Sequence, residues 1–569
     1  MLLLLACVTT KPVESSPVQV DSQTDSPVDS PVDSPKDSPT DSPEDSPEDS
    51  PVESPPPDSD TSPPAPEPWR SQLYPSDWTP DYTAAGGHFL HDFSYAGYHR
   101  SEVALPTPPG PSFDVLSYGA DASGQTDSTT AIQAAIDAAS TAGGVVSLPA
   151  GTFKVDGQLR VQSSGVVIKG AGNSSTFMYF TQIDGMDYGA HLSFQGSLSQ
   201  STEYLLSSDG LSRSTVVYVT DASGLAAGDE VSVGQLISDD FVADHGMTGI
   251  WVEFNGEWRA FFRRTVVSVD TTVSPNAITL DIPLRYPLLT RDSASLRKES
   301  GYLTECGIED IALADAENYI TAWTHSQINL LSFSEVSDCW VQRLASWASP
   351  QSDPAGYHIL NNGLLISDSK RVTVSDSNLG YAQNRGSGGN GYLFEIRRSN
   401  EILTQDSIAT AGRHNFIQNW DFGTSGCVWL RTESYDGRSM LADWDSFGYD
   451  SYSEFHHSLA MANLIDQSIA SDGWQGVNRQ TESSGAGHSV TESVFWNLSG
   501  GGYLRSLQYG DGYIIGTTDM DVHTDPTELD WYNSGGGTEP ADWLEGEDAG
   551  GTLEPTSLFE DQHFKRLGF

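Results

Sequence analysis

Short β-rich segments recur at a regular spacing along the second half of this 569-residue chain, and no other feature constrains its fold as strongly. Each segment alternates or doubles its apolar residues and ends in Ser, Asn or Asp, as strands followed by turns do. Successive segments begin 26–36 residues apart: DCWVQRLAS at Asp338, KRVTVSDSN at Lys370, NEILTQDSI at Asn400, GCVWLRTES at Gly426, ANLIDQSIA at Ala462 and HSVTESVFWN at His488. A period of this size indicates stacked repeats, so we predict an all-β coil over residues 301–530.

A more specific pattern lies at residues 113–155, FDVLSYGADASGQTDSTTAIQAAIDAASTAGGVVSLPAGTFKV. Asp127 or Ser128 is placed to cap a helix at its N-terminus. The helix has an apolar stripe that comprises Ile132, Ala135, Ile136 and Ala139. A Gly-Gly pair, a short VVSL strand, a Pro-Ala-Gly turn and another strand follow it. The segment therefore predicts a helix at the start of the coil.

In the order of its signals, this segment resembles the start of the pectin-lyase-like right-handed parallel β-helix superfamily, in the branch of rhamnogalacturonase- and epimerase-type proteins. The residues that carry the resemblance are YGADASGQTDSTTAIQAAI and GGVVSLPAGTF, within about 45 residues. The resemblance implies a right-handed parallel β-helix, an N-terminal cap helix and a carbohydrate ligand. It identifies a fold rather than a reaction. Neither the Asp-rich ladder of the hydrolase branch nor the Arg-Pro signature of pectate lyases is found in this sequence.

Changes in composition along the chain predict the boundaries of its other segments. Residues 69–112 are rich in aromatics and are predicted to form an arm that packs along the coil. The coil itself is predicted to start at residues 113–175. Residues 176–300 break the repeat with GLAAGDEVSV and WVEFNGEWRAFFRRTVVSV, so we predict an inserted β subdomain there. Residues 531–569 are rich in Gly and acids and are predicted to be a loop-rich tail.

The N-terminal segment is typical of an exported protein. Residues 1–7 are apolar and end in Leu-Leu-Ala-Cys, as in a bacterial lipoprotein signal, so we expect a lipid on Cys7. Only six residues precede this cysteine, and we expect the natural translation start to lie upstream. Residues 8–68 repeat Asp-Ser-Pro every four residues from Asp25 to Pro51, and frequent Pro with like charge prevents a packed core. We predict a disordered stalk that holds a monomer on a bacterial membrane or cell surface.

The net charge limits the partners. It is −50 over the chain and −37 over residues 69–569, which argues against nucleic acid or an anionic membrane surface as a partner. An anionic substrate needs a local cluster of arginines or a bridging cation in such a protein. The three later cysteines, Cys306, Cys339 and Cys427, form no C-x-x-C pair, which disfavours a zinc ribbon or redox motif. Their wide spacing favours buried core thiols, with one disulfide as the alternative.

Residues 411–497 concentrate polar side chains suited to chemistry. Equivalent positions on successive turns of a β-helix stack about 4.8 Å apart, so a polar ladder forms a groove for a linear polymer. The candidate catalytic residues are His414, His456, His457 and His488. The candidate substrate-binding residues are Arg413, Asn415, Arg479, Trp474 and Trp496. Because neighbouring residues on a strand point to opposite faces, we expect at most one of His456 and His457 in a single cleft.

These residue types favour β-elimination on a uronate-containing polysaccharide. Histidine takes up or gives a proton near neutral pH. Arginine binds a carboxylate with two hydrogen bonds, and tryptophan offers a flat face to a sugar ring. The sequence therefore predicts a polysaccharide lyase, although each histidine also has a structural alternative as a turn or packing residue.

Two other functions stay open. Asp443, Asp445 and Glu454 supply the paired carboxylates that a glycoside hydrolase uses. A surface adhesin that binds carbohydrate without cleaving it would use the same stalk. The three carboxylates also partly match a calcium loop, in which Phe447 replaces one ligand. No cofactor is certain from the sequence, and Ca²⁺ is the one that it suggests.

Overall fold

Three parallel sheets wind along the protein, and most turns of the chain add one strand to each. The computed structural model describes residues 67–569 except 109, 319, 443–447, 526–537 and 539. Within these residues the all-β parallel β-helix predicted from the repeats is confirmed. The predictions for Cys7 and for the repeated part of the stalk lie outside the described residues.

The strands of each sheet follow one another in space almost as they do in sequence. The first sheet contains Ser112–Asp114, Gly144–Ser147, Val166–Lys169, Gly307–Ala314, Val336–Ser346, Lys370–Ser375, Leu403–Gln405, Val428–Leu430, Leu464–Asp466, Val494–Ser499, Tyr513–Thr518 and Trp543–Glu545, with Leu303–Thr304 at Val336–Ser346. The second contains Ser123–Asp127, Gly151–Val155, Thr176–Phe180, Asn378–Gly380, Ile408–Thr410, Glu433–Tyr435 and Ile469–Ala470, joined by parts of Gly307–Ala314, Val336–Ser346 and Val494–Ser499. The third contains Leu159–Val161, Ala190–Gln195, Asn329–Ser334, Asn362–Ser367, Tyr392–Arg397, His414–Gln418, Ser453–Phe455, Trp474–Gly476, Tyr503–Ser506 and Asp521–His523.

The register of the first sheet shows how long each turn is. Thr373, Leu403, Val428, Leu464 and Val494 are consecutive partners, so four successive turns take 30, 25, 36 and 30 residues. This confirms the spacing of the β-rich segments in the sequence. Aspartates often stand at the corners, since short polar side chains tolerate a left-handed backbone better than most. The φ angles of Asp338, Asp368, Asp376 and Asp406 are 54°, 51°, 50° and 49°.

The interior of the coil is one continuous apolar core. The predicted N-terminal helix spans Thr129–Ala142 and buries the four residues of its apolar stripe in that core. It packs on Ser112–Asp114, Gly144–Ser147 and Leu159–Val161, the first strands of the coil. Cys306, Cys339 and Cys427 are buried with free thiols, as expected.

The insert forms a separate antiparallel sheet of six strands. In spatial order these are Val216–Val219, Asn276–Leu280, Trp258–Asp270, Glu230–Leu236, Ser295–Ser300 and Ser199–Leu205, and a helix Asp239–Asp244 accompanies them. The insert begins later than the predicted residue 176, because Thr176–Phe180 and Ala190–Gln195 pair with strands of the coil. Phe422, Leu459 and Met461 of the coil complete the apolar core of the insert.

The N-terminal arm and the C-terminal helix Leu558–Leu567 together cover the first sheet. Leu73, Tyr74, Leu90 and Phe93 of the arm belong to one buried cluster with that helix and with side chains of the sheet. The tail predicted to be loop-rich therefore contains this helix as well as the strand Trp543–Glu545. No helix in the described part of the chain is both long and apolar enough to cross a membrane.

Short elements complete the fold. The 3₁₀ turns are Ala85–Gly87, Tyr98–Ser101, Val115–Tyr118, Thr290–Asp292, Ile320–Thr324, Pro350–Ser352 and Gly550–Thr552, and the remaining helical turn is Glu482–Gly485. Two small ladders pair Arg438–Ser439 with Tyr449–Asp450 and Ala460–Met461 with Val490–Thr491.

Asp466 ties the C-terminal helix to the coil and makes stability depend on pH. Its Oδ2 accepts hydrogen bonds from Ser557 Oγ at 2.7 Å and from the amide of Phe559 at 2.8 Å. Burial raises the pKa of this carboxyl to about 7. A raised native pKa gives stability that is complete below the unfolded pKa near 3.9 and is lost as pH rises to about 7, at up to about 1.4 kcal/mol per pH unit.

Replacing Asp466 with asparagine, which imitates the protonated acid, is expected to remove this pH dependence. The variant should match the parent protein in free energy of unfolding near pH 4 and exceed it increasingly up to pH 7. Urea unfolding at a series of pH values measures the difference. Parallel profiles for the two proteins would show that Asp466 does not titrate in this range.

Candidate active site

A cavity of about 470 Å³ lies over the third sheet. Its floor comes from three successive strands and the residues beside them: Tyr392, Arg397, Arg413, His456 and His457. The described residues that form its walls are Tyr188, Gln327, Gly388, Gly389, Asn419, Trp420, Ser483 and Ser484. The coil thus places residues far apart in sequence around one space large enough for a sugar unit.

Beneath the floor, a buried carboxylate lies between two imidazoles. Oε1 of Glu454 accepts a hydrogen bond from Nδ1 of His456 and lies 3.1 Å from Nε2 of His414. Oε2 of Glu454 accepts a hydrogen bond from Nε2 of Gln475. Glu454 is fully buried, and both histidines are 5% exposed. Of these three residues only His456 reaches the cavity, so the other two act through it.

The protonation state of this cluster follows from its burial. Burial lowers the pKa of His414 to about 4 and holds the pKa of His456 well below its ordinary value, so both rings are neutral at pH 7. Burial also acts to raise the pKa of Glu454, but the neighbouring His414, Arg479 and His456 outweigh it and hold that pKa well below its usual range. An ionised Glu454 fixes the tautomer of His456 with the proton on Nδ1.

The other nitrogen of His456 is therefore placed to act as a base. Its Nε2 accepts a hydrogen bond of 3.3 Å from Oγ of Ser483, an exchangeable contact to a residue that also lines the cavity. An imidazole oriented by a carboxylate and open to substrate on the other side is the arrangement that general-base catalysis needs. Two of the four predicted catalytic histidines, His414 and His456, lie together in this cluster, with His414 in a supporting place.

His457 also lines the cavity, and the expectation that only one of the two neighbours does so is wrong. The strand ends at Phe455, and Ser458 and Leu459 have left-handed φ angles of 48° and 45°, so strand alternation does not extend to these residues. Nε2 of His457 donates to the carbonyl of Ser483 at 2.9 Å, and Nδ1 lies 2.7 Å from Oγ of Ser458. Both nitrogens are engaged within the protein, which leaves none for proton transfer.

Arg413 is the cation best placed to meet a substrate. Its Nη1 donates to the carbonyl of Gly386 at 3.0 Å, and no carboxylate in the described part of the chain lies within ion-pair distance. Arg397, the other arginine in the cavity, is paired with Glu395 at 2.5 Å. Arg479 was predicted to bind substrate, but it is not among the described residues that line the cavity. Its Nη1 donates to the carbonyl of His456 at 2.8 Å, so it supports the base instead of binding substrate.

Three of the other predicted residues are wrong for substrate binding. Trp474 is 1% exposed in the interior core, where it packs against Trp429 and Phe495. Trp496 is fully buried beneath the arm, with its ring against Tyr74. Neither ring has a face free for a sugar. Asn415 is also fully buried, and its amide binds Asp472 and the carbonyl of Tyr435 at a corner of the coil.

His488 is not among the described residues that line the cavity. It is 3% exposed, and its ring lies 5.1 Å from that of Tyr509, on the side of His245 in the insert. Its prediction as a catalytic residue is wrong, because its environment is that of a packing residue between the coil and the insert.

The structure also bears on the three carboxylates predicted for a calcium or hydrolytic site. Asp443 and Asp445 lie outside the described residues, so their part in a calcium or hydrolytic site stays a prediction. Glu454 is wrong as a calcium ligand of that loop, because its carboxylate is enclosed by His414, His456 and Gln475. None of the described residues that line the cavity is Asp or Glu.

Sequence reasoning missed several residues of the site, among them Arg397. Tyr392 is buried and lines the cavity, with its ring 5.3 Å from that of His414 and 6.0 Å from that of His456. Burial raises the pKa of its hydroxyl, which stays protonated at neutral pH. Tyr392 pairs with His414 on the next strand, so comparing residues one turn apart would have found it. Gln475, Trp420 and the 72% exposed Tyr188 carry no comparable signal.

Comparisons with known proteins agree with the fold. Residues 112–189 match the family described as rhamnogalacturonase A/epimerase, pectate lyase-like. The chain is 45% identical over 83 residues to alginate lyase 7 of Azotobacter vinelandii, a match that covers 13% of this chain and 9% of that protein. The family match and the observed coil identify the pectin-lyase-like parallel β-helix fold.

Two solved structures illustrate the likeness. The tailspike protein of Pseudomonas phage LKA1 is 16% identical with a TM-score of 0.41, over 76% of this chain and 78% of that chain. An exopolygalacturonase from Thermotoga maritima is 10% identical with a TM-score of 0.29, over 74% of this chain and 77% of that chain. At such values the likeness says nothing about chemistry.

Proposed function

We propose that this protein is a polysaccharide lyase that cleaves a uronate-containing glycan by β-elimination. One observation carries the proposal. In a single cavity, His456, a neutral imidazole whose Nε2 contacts only a serine hydroxyl, lies with Tyr392 and with Arg413, whose guanidinium has no carboxylate partner among the described residues. These are a base, an acid and an anion-binding group, which are the three parts that elimination on a uronate requires.

The reaction runs through these three groups. Nε2 of His456 takes the proton from C5 of the uronate, and the electron pair moves into the C6 carboxylate as an enediolate. Arg413 stabilises the added negative charge on that carboxylate. The electron pair then returns to form the C4–C5 double bond as the bond from C4 to the glycosidic oxygen breaks. Tyr392 donates its proton to the departing oxygen, and one new sugar end and one unsaturated uronate result.

The charge distribution supports an anionic substrate. The folded part carries −37, so a polyanion is repelled by most of the surface and needs a local positive site. Arg413 provides that site within the cavity, beside Arg397, whose charge is already paired with Glu395. Hydrolysis uses two carboxyls on opposite sides of the scissile bond, and the described lining supplies none.

The walls of the cavity suit a sugar chain. Tyr188 and Trp420 both line it and offer aromatic faces, in place of the buried Trp474 and Trp496. The partial similarity to a protein named as an alginate lyase is in keeping with a lyase.

The test is a screen of the full-length protein against polyuronates and neutral glycans, with and without added calcium. Elimination gives an unsaturated product that absorbs in the ultraviolet, together with new reducing ends. New reducing ends without ultraviolet absorbance would indicate hydrolysis instead of elimination, by carboxylates outside the described residues. Binding to a polyuronate without any product would make the protein a carbohydrate-binding adhesin.

Replacing Arg413 with methionine is expected to lower kcat/KM on the preferred polyuronate by about 10- to 100-fold, because the substrate carboxylate loses a two-point ionic contact. The measurement is steady-state kinetics on the parent and variant. Arg343→Met is the control, since Arg343 pairs with Asp310 on the first sheet and does not line the cavity. An equal loss of kcat/KM in both variants would show that Arg413 does not bind the substrate carboxylate.

We also propose that the protein is exported and held to a membrane through a lipid on Cys7. The apolar residues before this cysteine and the Asp-Ser-Pro stalk after it support the proposal. Labelling with a radioactive fatty acid in a bacterial host tests it. Label that is incorporated into the parent protein and lost in Cys7→Ser is expected, and label in both would place the lipid elsewhere.

A further inference from the structure

The close contact between His414 and Glu454 is not a hydrogen bond. Nδ1 of His414 lies 2.7 Å from the carbonyl of Tyr452, which accepts only, so the ring proton of a neutral His414 is on Nδ1. Nε2 then carries a lone pair and faces Oε1 of Glu454 at 3.1 Å. This buried Nε2 has no hydrogen-bond partner among the described residues. Two acceptors in contact in a dry interior repel each other unless a cation lies with them.

A third donor atom converges on the same place. Nδ1 of His456 contacts the same oxygen of Glu454, and the three donor atoms lie within 4.8 Å of one another. All three side chains are more than nine-tenths buried. Two imidazole nitrogens and one carboxylate oxygen form a ligand set that suits Zn²⁺ and related transition metals, with a fourth position left for water.

The groups around these three donors resemble the surroundings of a metal site. The carbonyl of Tyr452 orients the ring of His414, and Gln475 holds the second oxygen of Glu454. Such outer contacts fix the direction of metal ligands. Arg479 acts the other way, because its Nη1 donates to the carbonyl of His456 at 2.8 Å and so places a positive charge beside the three donors. The site therefore favours an ion that exchanges over one that is held permanently.

We propose that His414, Glu454 and His456 bind one transition-metal dication such as Zn²⁺, and that this ion switches off the base of the active site. The inhibitory part rests on the proposed lyase function, whereas the binding part does not. A metal at Nδ1 of His456 needs the lone pair of that nitrogen, so the single ring proton leaves Nδ1 and solvent returns one proton to Nε2. The ring stays neutral, and its protonated Nε2 then has no lone pair with which to accept the C5 proton of the substrate.

Titration of chelator-treated, full-length protein with Zn²⁺ by calorimetry tests the binding part. One ion per chain is expected, with affinity reduced at least about 10-fold in His414→Gln and in Glu454→Gln. His488→Gln is the matched control, a buried histidine outside the cluster, and should bind as the parent does. Circular dichroism shows that each variant is folded. Absence of binding, or equal affinity in all four proteins, would overturn the proposal.

Substitution with Co²⁺ gives a second readout that does not depend on the variants. Tetrahedral coordination by nitrogen and oxygen gives visible absorption bands that an octahedral aqueous ion gives only weakly, and such bands are expected at one equivalent. A spectrum that remains that of aqueous Co²⁺ would overturn the site.

Lyase assays over the same Zn²⁺ range test the inhibitory part. Activity should fall with the same concentration dependence as binding and return when a chelator is added. Activation by Zn²⁺, or binding with full activity, would overturn it. If the protein shows no lyase activity on any substrate, the proposed function fails while the titration still decides the metal site, so the two failures are distinct.

Discussion

His456→Gln is expected to lower kcat/KM on the preferred polyuronate by about 100- to 10,000-fold, the range that a positioned general base contributes. Glutamine keeps a similar size and can still contact Glu454, but it has no basic nitrogen to accept the C5 proton. The loss should appear mainly in kcat, because His456 acts on the reacting proton while Arg413 and the cavity walls bind the sugar. Initial rates of ultraviolet absorbance at several substrate concentrations separate the two constants.

His488→Gln is the control for this measurement, because His488 is a buried histidine on a neighbouring turn that does not line the cavity. It should leave kcat within a few-fold of the parent value. If His456→Gln retains more than about a tenth of the activity, the base is another group. The pH profile of kcat/KM in the parent protein provides an independent check, since its acidic limb should reflect a base whose pKa lies below that of free histidine.

The fold could be predicted because the same local sequence patterns for strands and turns repeat along the chain. Each turn of the coil needs the same short strands and the same sharp corners, so the segments at Lys370, Asn400 and Ala462 each repeat the pattern. The N-terminal helix could be predicted because its apolar stripe and its flanking turn signals agree. The insert starts later than expected, since the strands at Thr176 and Ala190 resemble those of the insert in composition.

The site was predicted only in part, because side-chain direction is set by how turns stack. His456 and Arg413 were identified from residue type, and both line the cavity. Residue type alone does not distinguish a tryptophan that stacks on a sugar from one that is buried. Trp474 points into the core, and Trp496 lies under the arm. The arm covers the sheet from a distance of several hundred residues in sequence, and no local pattern near Trp496 records that contact.

A buried acid of the coil, Glu401, pairs with two arginines of the insert. It is fully buried on the coil and accepts hydrogen bonds at 3.1 and 2.9 Å from Arg285, an insert residue whose guanidinium is also buried. Nη2 of Arg264, likewise in the insert, lies 3.3 Å from the same carboxylate. Burial lowers the pKa of Arg264 to about 10, which still leaves it charged at neutral pH. Two desolvated cations therefore depend on one anion.

Glu401→Gln is accordingly expected to lower the free energy of unfolding by about 3–5 kcal/mol, the cost of leaving buried charges without their partner. Urea unfolding followed by circular dichroism measures the change. Asp406→Asn is the matched control, because Asp406 forms an equally well-aligned pair with Arg431 in which both side chains are 35% exposed. The free energy of unfolding of that variant should fall by at most about 1 kcal/mol.

The same variant tests whether the insert is needed for the active site. Phe254 of the insert packs on Trp420 and His457, with ring centroids 5.8 and 5.5 Å apart, so the insert supports one wall of the cavity. If the insert loosens when Glu401 loses its charge, substrate binding should weaken at temperatures where the coil is still folded. A lower stability with unchanged KM would instead show that the coil alone holds the cavity in shape, and that the insert is fixed to it for another purpose.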